Sequence, residues 1–281
     1  MTARWGDDQP DGEVVRRRLE VDGQTGTVPG LLTLPAAGAT PPTLLLLGHG
    51  GGGGKDERRF PAMAARFAAE LDAAVLAIDG PAHGERAPKG DDPVTVFRAG
   101  RRALVDPDMP ARFADDWARS VAACRDAGIG VTTLLYAGFS MGTLLGVPAV
   151  AHLGDVHGAV FGVGGVPRQG GVADLVRGIA GVAAATIVEE EDDAALRGRI
   201  VVEAAGRVTG TEVLMLNMTK DVVFPISGAF ELFDAFTCPK RIAFWEGGHT
   251  ELPPEAMAMA HAFFRRVIAC DDAAAGTVGA W

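Results

Sequence analysis

Short apolar runs alternate along the chain with longer stretches in which apolar residues recur at helical spacing. The runs have the length of strands, and several are followed directly by Gly, Pro, Asp or Asn. They predict strands over residues 14–21, 30–34, 43–47, 73–78, 131–137, 158–163, 211–216 and 241–245. The amphipathic stretches predict helices over 58–71, 111–127, 141–153, 230–236 and 254–269, with further helical segments at 94–101, 172–191 and 194–205.

The alternation of buried strands with helices indicates an α/β fold with a mostly parallel sheet and helices on both faces. Turn residues between the first two strands, beginning at Asp22-Gly23, predict an antiparallel hairpin there. Pro148 falls inside a predicted helix and removes one backbone donor, so a kink or break is expected nearby.

The length of 281 residues suits one large α/β domain over 13–270. We expect residues 1–12 to be a flexible leader and 271–281 a tail. The interval 168–211 lacks strand character and is expected to form a small helical cap. The Pro- and Gly-rich connection 81–109 is long enough to have a functional role.

The net charge of −10 argues against a nucleic-acid partner, since phosphate backbones need clustered Lys and Arg. No apolar run is long enough for a membrane span, and the polar start of the chain is unlike a signal peptide. Three cysteines without metal-ligand spacing make a disulfide framework unlikely. These features predict a cytoplasmic protein with no membrane partner.

The segment Gly138-Phe139-Ser140-Met141-Gly142 lies between a predicted buried strand and a predicted helix. A Gly-x-Ser-x-Gly at such a junction is typical of the nucleophile elbow, a tight turn that exposes the serine hydroxyl. The same pattern arises by chance in a chain with 38 glycines, and Ser140 could be an ordinary helix cap. Its interpretation therefore depends on the other residues that the chemistry needs.

A serine hydroxyl needs a base, and the base needs an acid that orients it. His249 follows the last predicted strand, and Asp221 follows the strand before it, so both are expected at the carboxyl edge of the sheet. Asp234 and Glu246 are the reserve acids. The order Ser140, Asp221, His249 agrees with the order of the triad in α/β-hydrolases.

The oxyanion of a tetrahedral intermediate needs preorganised donors, and we expect the backbone amides of Met141 and Gly51 to supply them. The glycine run from Gly50 resembles a phosphate loop, but Lys55 is followed by Asp56 and not by Ser or Thr. His49 and His83 are expected to brace the neighbouring loops. No residue set has convincing metal-ligand spacing, so no metal and no cofactor is expected.

With these motifs, the chain resembles the α/β-hydrolase superfamily over roughly residues 28–270, and within it the dienelactone-hydrolase-like and small bacterial serine esterase branch. The resemblance is carried by the segments 47–53, 79–85 and 138–142 and by the pair Asp221 and His249. It implies a Ser-His-Asp hydrolase that acts on small-molecule esters without a cofactor. Dienelactone hydrolases carry a cysteine nucleophile, whereas this elbow holds Ser140, which favours simple esters.

Several alternatives stay open at this point. A peptidase, a thioesterase or a carbon–carbon bond hydrolase would share the triad, and a ligand-binding protein could use the fold without catalysis. Haloalkane or epoxide chemistry is disfavoured because it needs an aspartate at the elbow. Candidate walls of the substrate pocket are Phe139, Phe224 and Leu252, and the oligomeric state is not indicated.

Overall fold

The computed structural model describes residues 3–56, 59–89, 98–100, 102–104, 106–180 and 193–276. Within these residues ten strands form a single sheet. The strands are β1 (Ala3–Trp5), β2 (Gln9–Asp11), β3 (Val14–Gly23), β4 (Gly26–Leu34), β5 (Thr43–Gly48), β6 (Ala74–Ile78), β7 (Thr133–Phe139), β8 (Gly158–Gly162), β9 (Glu212–Met218) and β10 (Lys240–Trp245). The helices are α1 (Phe60–Leu71), α2 (Met109–Asp126), α3 (Met141–Leu144), α4 (Gly146–Leu153), α5 (Gly171–Ala180), α6 (Ala194–Ala205), α7 (Ile226–Ala235) and α8 (Pro254–Gly276).

The sheet is mixed, with the strand order β1-β3-β4-β6-β5-β7-β8-β9-β10 and with β2 paired to β3. The six strands from β6 to β10 in this order pair in parallel, whereas β4 pairs antiparallel with both β3 and β6. The predicted α/β class is confirmed. The predicted β3–β4 hairpin is confirmed too, because so short a connection permits only antiparallel pairing.

Helices cover both faces of the sheet, as the apolar strands require. In β5, Leu44 and Leu46 belong to one core cluster, while Leu45 and Leu47 belong to the other. This alternation follows from the two-residue repeat of a strand. Side chains of α2, α4, α6 and α7 fill the first core, and side chains of α1 and α8 fill the second.

The expectation of a flexible leader over residues 1–12 is wrong for the described part of that segment. Ala3–Trp5 and Gln9–Asp11 both pair antiparallel with β3. Their composition hides this, since β2 is exposed throughout and contains Pro10. A strand at the sheet edge gains its backbone hydrogen bonds without an apolar face and tolerates proline.

The predicted tail also begins too early, because α8 continues through Gly276. The hydroxyl of Thr133 donates a 2.6 Å hydrogen bond to Asp271, which ties the last turns of the helix to the start of β7. Residues 277–281 lie outside the described residues.

The interval 168–211 contains α5 and α6, and residues 181–192 lie outside the described part. In α6, Val201 and Ala204 are fully buried in the first core, so this helix belongs to the layer that covers the sheet. Most of the predicted short helix at 94–101 lies outside the described residues as well.

The break expected near Pro148 is present. The helical segment after Ser140 divides at Leu145 into α3 and α4. Proline cannot donate to the carbonyl four residues earlier, and its ring clashes with that carbonyl. In this chain that carbonyl belongs to Leu144, the last residue of α3.

Candidate active site

Ser140 occupies the sharp turn between β7 and α3. Its φ of 55° and ψ of −111° lie in a region that non-glycine residues rarely adopt. The flanking glycines make the turn possible. A Cβ on Gly138 would lie 2.2 Å from the carbonyl oxygen of Gly142, and one on Gly142 would lie 2.3 Å from that of Gly48.

Polar side chains beneath the turn hold it in place. The hydroxyl of Tyr136 donates a 2.6 Å hydrogen bond to the carbonyl of Gly142, and the Thr143 hydroxyl lies 3.1 Å from the carbonyls of Gly138 and Gly162. Sequence reasoning missed both residues. The available signal was a lone tyrosine in an otherwise apolar strand, since a buried Tyr usually needs a partner for its hydroxyl.

His249 lies between Ser140 and Asp221 and contacts both. Its Nε2 is 2.8 Å from Ser140 Oγ, and its Nδ1 is 2.8 Å from Asp221 Oδ2. Because an ionised carboxylate can only accept, Nδ1 carries the proton and Nε2 is free to accept from the serine hydroxyl. The structure therefore brings the three predicted side chains together, with the imidazole between the hydroxyl and the carboxylate.

Asp221 is held by its own backbone turn. Its second oxygen, Oδ1, accepts hydrogen bonds from the amides of Val223 at 2.8 Å and Phe224 at 3.0 Å. The carboxylate is 1% exposed and the His249 side chain 7%. Burial of this pair limits competition by water for its hydrogen bonds.

The loops that carry Asp221 and His249 are joined by the backbone. The amide of Thr219 donates to the carbonyl of Trp245, and that of Lys220 donates to the carbonyl of Gly247, both at 2.9 Å. The carboxylate of Glu251 accepts from the amide of Gly248 at 2.6 Å. These bonds set the spacing of the acid and the imidazole independently of the Asp221–His249 contact.

The reserve acids do not meet the imidazole in this arrangement. Glu246 instead pairs with Lys220 at 2.6 Å on the surface, and Asp234 lies on α7.

The three proposed pocket residues differ in their placement. Phe224 is 2% exposed and packs against the His249 ring with a centroid distance of 5.6 Å. Phe139 is 7% exposed and lies against the backbone of Gly162. Leu252 is half-buried beside the second core. A role of these residues in substrate binding stays a prediction.

The glycine loop after β5 lies directly beside the turn of Ser140. A Cβ on Gly50 would be 3.9 Å from the Cβ of Ser140, and one on Gly51 would be 3.8 Å from the Cβ of Met141. Met141 is the first residue of α3, so its amide has no acceptor within the helix. The amides predicted for the oxyanion hole therefore belong to adjoining segments.

His49 connects this glycine loop to the loop after β6. Its Nε2 accepts from the amide of Gly80 at 2.8 Å, and its Nδ1 lies 2.8 Å from the carbonyl of Gly50. Burial lowers the pKa of His49 to about 4, so the ring is neutral at ordinary pH and keeps an acceptor for Gly80. The bracing role predicted for His49 is confirmed, and His83 likewise contacts the carbonyl of Pro81 at 2.7 Å.

A buried ion pair holds the same two loops together further from Ser140. Lys55 Nζ lies 2.9 Å from Asp79 and 2.5 Å from Glu85, and Asp79 also accepts from the amides of Lys55 and Glu85. Burial alone would lower the pKa of Lys55, but the bonds to Glu85 and Asp79 outweigh it and leave the pKa raised. In the sequence, Lys55 drew notice only as part of a run that resembles a phosphate loop, an interpretation that Asp56 argues against.

Within the described residues, no group of three or more His, Cys, Asp and Glu side chains is arranged to hold a metal ion. The helices in that part of the chain also include none that is both long and apolar enough to cross a membrane.

Comparison with known proteins finds similarity at the level of structure. No family model matches the chain, and no curated protein matches it in sequence. A cold-adapted esterase from an Arctic intertidal metagenomic library superposes with a TM-score of 0.71 at 25% identity, covering 95% of this chain and 99% of the esterase. Acetyl xylan esterase 1 from a Thermoanaerobacterium species gives 0.70 at 17% identity, covering 94% of this chain and 87% of its own.

A third structure is a putative dienelactone hydrolase from Klebsiella pneumoniae. It gives a TM-score of 0.62 at 16% identity and covers 89% of this chain and 98% of its own. These matches extend over nearly the whole length of both chains, so they concern the complete domain and not a shared substructure. The chain therefore has the α/β-hydrolase fold, as the sequence predicted, and is similar to esterases built on it.

Proposed function

We propose that the protein is a serine hydrolase that cleaves carboxylic esters of small molecules through an acyl-enzyme intermediate. The observation that carries the proposal is the position of His249, whose Nε2 lies 2.8 Å from Ser140 Oγ and whose Nδ1 lies 2.8 Å from Asp221 Oδ2. The esterases among its structural neighbours support the same reaction class.

In the first half of the reaction, Ser140 Oγ attacks the ester carbonyl carbon while His249 Nε2 takes the hydroxyl proton. The ester C=O electrons move onto oxygen, and we place that oxyanion between the amides of Met141 and Gly51. When the intermediate collapses, the C–O bond to the leaving group breaks and the imidazolium protonates the departing alcohol.

In the second half, His249 deprotonates a water molecule that attacks the acyl-enzyme. Collapse of the second intermediate breaks the bond to Ser140 Oγ, which regains its proton from Nε2, and the carboxylic acid leaves. Asp221 stays ionised throughout and stabilises the imidazolium form of His249.

The test is ester turnover by a Ser140→Ala variant. We expect kcat for a p-nitrophenyl ester to fall on the order of a millionfold, as for loss of the nucleophile in other serine hydrolases. Ser227→Ala, on the exposed side of α7, is the matched control and should retain full activity. Retention of most of the activity by purified Ser140→Ala would refute the proposal.

A substrate panel separates the related reactions that share this mechanism. Esters, thioesters, amides and 1,3-diketones with the same acyl group are compared by kcat/KM. We expect the ester to be preferred, because the similar solved structures include a cold-adapted esterase and two acetyl xylan esterases.

A further inference from the structure

A row of exposed apolar side chains leads to one edge of the sheet. Three of the large apolar residues that are more than 40% exposed lie on or just before α7: Val222, Ile226 and Phe230. Ile226 and Phe230 are one helical turn apart, so they share a face. The ring of Phe230 lies 5.4 Å from that of Phe244 in β10, which joins the row to the last strand.

The strand β10 is an edge with unused backbone groups in the described part of the chain. Among the described residues it pairs with β9 alone, and the carbonyls of Pro239 and Trp245 accept hydrogen bonds from that side at 2.8 and 2.9 Å. Odd-numbered residues of β10 therefore turn their backbone groups toward β9. Ile242 and Phe244 turn their N–H and C=O groups away from the sheet, where they are free to pair.

In the part of the chain that the structure describes, this edge has little of the protection that exposed edges usually carry. The strand continues after Arg241 as Ile242, Ala243, Phe244 and Trp245, and each of these is only partly buried. Lysine often guards such edges. Here Lys240 is the only lysine in the strand, and its Nζ is bound to the carbonyls of Phe233 and Phe236.

We propose that β10 pairs antiparallel with β10 of a second copy of this chain, about a two-fold axis at Ala243. The axis stands perpendicular to the sheet, so a given residue points to the same face of the joined sheet in both copies. Even-numbered residues of one strand then stand opposite even-numbered residues of the other, and odd-numbered opposite odd-numbered. Ile242 of one copy then forms a hydrogen-bonded pair with Phe244 of the other. The two sheets become one.

The charges of the strand favour this register. Centred on Ala243, Arg241 stands opposite Trp245 of the second copy, over whose ring its guanidinium can stack. Glu246 of the second copy comes opposite Lys240, whose ammonium keeps its bonds to neutral backbone carbonyls and still attracts the carboxylate by its charge. Arg241 is 67% exposed and Glu246 is 79% exposed, so both can reach across.

Shifted registers lose this complementarity. A shift by one pairing step in one direction sets Lys240 against Phe244, and a shift in the other direction sets Glu246 against Ile242. The two cations lie at one end of the strand, and the indole and the carboxylate lie at the other end. An antiparallel copy of the same strand therefore brings each group opposite its complement. The apolar rows of the two α7 helices also come to lie on the same face of the joined sheet.

A cysteine at the axis tests the register directly. In Ala243→Cys, two identical residues would form a non-hydrogen-bonded pair with Cα atoms about 4.5 Å apart, a separation within the range of disulfides. We expect a covalent dimer under mild oxidation, with the linked peptide identified by mass spectrometry. Arg241→Cys is the matched control, because its two copies would face Trp245 and should not link.

Sedimentation of the unmodified chain tests the association itself. We expect a species of twice the 29.1 kDa chain mass that dissociates on dilution. Phe230→Glu should raise the dimer dissociation constant about tenfold or more. Val131→Glu, which alters an equally apolar side chain that is 59% exposed, should leave the constant unchanged.

Three results would each overturn the proposal. The first is a 29.1 kDa species at every concentration, and the second is equal disulfide linking of Ala243→Cys and Arg241→Cys. The third is a dimer dissociation constant that Phe230→Glu leaves unchanged. Far-UV circular dichroism of each variant shows that the change in association does not come from unfolding.

Discussion

The backbone of Ser140 is strained, and the strain has a structural use. A non-glycine residue at a φ of 55° and ψ of −111° costs about 1–3 kcal/mol. Hydrogen bonds offset this cost, since the Ser140 amide donates to the carbonyl of Gly162 at 2.9 Å and Tyr136 holds the carbonyl of Gly142. The conformation keeps Oγ 2.8 Å from the imidazole.

His49 gives the molecule a pH dependence at the scale of one residue. Its pKa falls from 6.5 to about 4 on folding, chiefly because the ring is buried. Between these pH values the unfolded chain binds the proton and the folded chain does not, so acid favours unfolding. The contribution of His49 to stability is complete above pH 6.5 and is lost progressively as the pH falls to about 4.

Urea unfolding of a His49→Gln variant at pH 7.5, 5.5 and 4.5 checks this dependence. Glutamine does not titrate, and its side-chain oxygen can still accept from the amide of Gly80. Between pH 7.5 and pH 4.5, we expect the free energy of unfolding of the wild type to fall by up to about 3 kcal/mol more than that of the variant. Parallel stability curves for the two proteins would contradict the assignment. His152→Gln, on α4, serves as the control for a change of histidine count.

Three residues of the candidate site could be predicted one by one from their chemistry. Ser140, Asp221 and His249 could be placed together because parallel strands end at one edge, and chemistry restricts which side chains suit the roles. The supports were missed for a physical reason. Tyr136, Thr143 and Lys55 act through backbone carbonyls and one buried carboxylate whose positions depend on how the strands pack.

At the scale of elements, the glycine loop after β5 is fastened to the loop after β6 by buried polar contacts. Lys55 and Asp79 are 1% and 0% exposed at the side chain, and together with His49 they tie the loop after β5 to the loop after β6. A carboxylate this deeply buried depends on its cation. The geometry of the proposed oxyanion donor at Gly51 therefore depends on residues that never meet the substrate.

Lys55→Met should lower the free energy of unfolding by about 3–5 kcal/mol, because Asp79 is left buried without its cation. Lys220→Met removes a surface pair with Glu246 and should cost no more than about 1 kcal/mol. Urea titration measures both. If Lys55→Met does not fold, the Lys55→Met/Asp79→Asn double variant should regain folding. An equal loss of unfolding free energy in Lys55→Met and Lys220→Met would contradict this account.

Elements with a strong apolar pattern were predictable, whereas those stabilised by the sheet edge were not. The strand predicted at 43–47 is Thr43–Gly48, and the helix predicted at 111–127 is Met109–Asp126. Gln9–Asp11 has no apolar residue in alternation, because its pairing with β3 supplies backbone bonds and little burial. Sequence periodicity detects burial and not backbone pairing alone.

At the scale of the whole molecule, the sheet brings distant parts of the chain to one edge. Ser140 and His249 are 109 residues apart in sequence, and His249 and Asp221 are 28 apart, yet all three follow parallel strands. The strand order itself was not predictable from the sequence. It depends on which strands pack best side by side, and strands as uniformly apolar as β5, β6 and β7 carry no pattern that distinguishes their neighbours.

The central claim is that His249 activates Ser140, and covalent labelling tests it most directly. The chain contains three serines, Ser120, Ser140 and Ser227, so a fluorophosphonate adduct is readily assigned by peptide mass spectrometry. We expect one adduct per chain, on Ser140, and a labelling rate that falls at least about a thousandfold in His249→Asn. An adduct on another residue, or undiminished labelling of His249→Asn, would contradict the account.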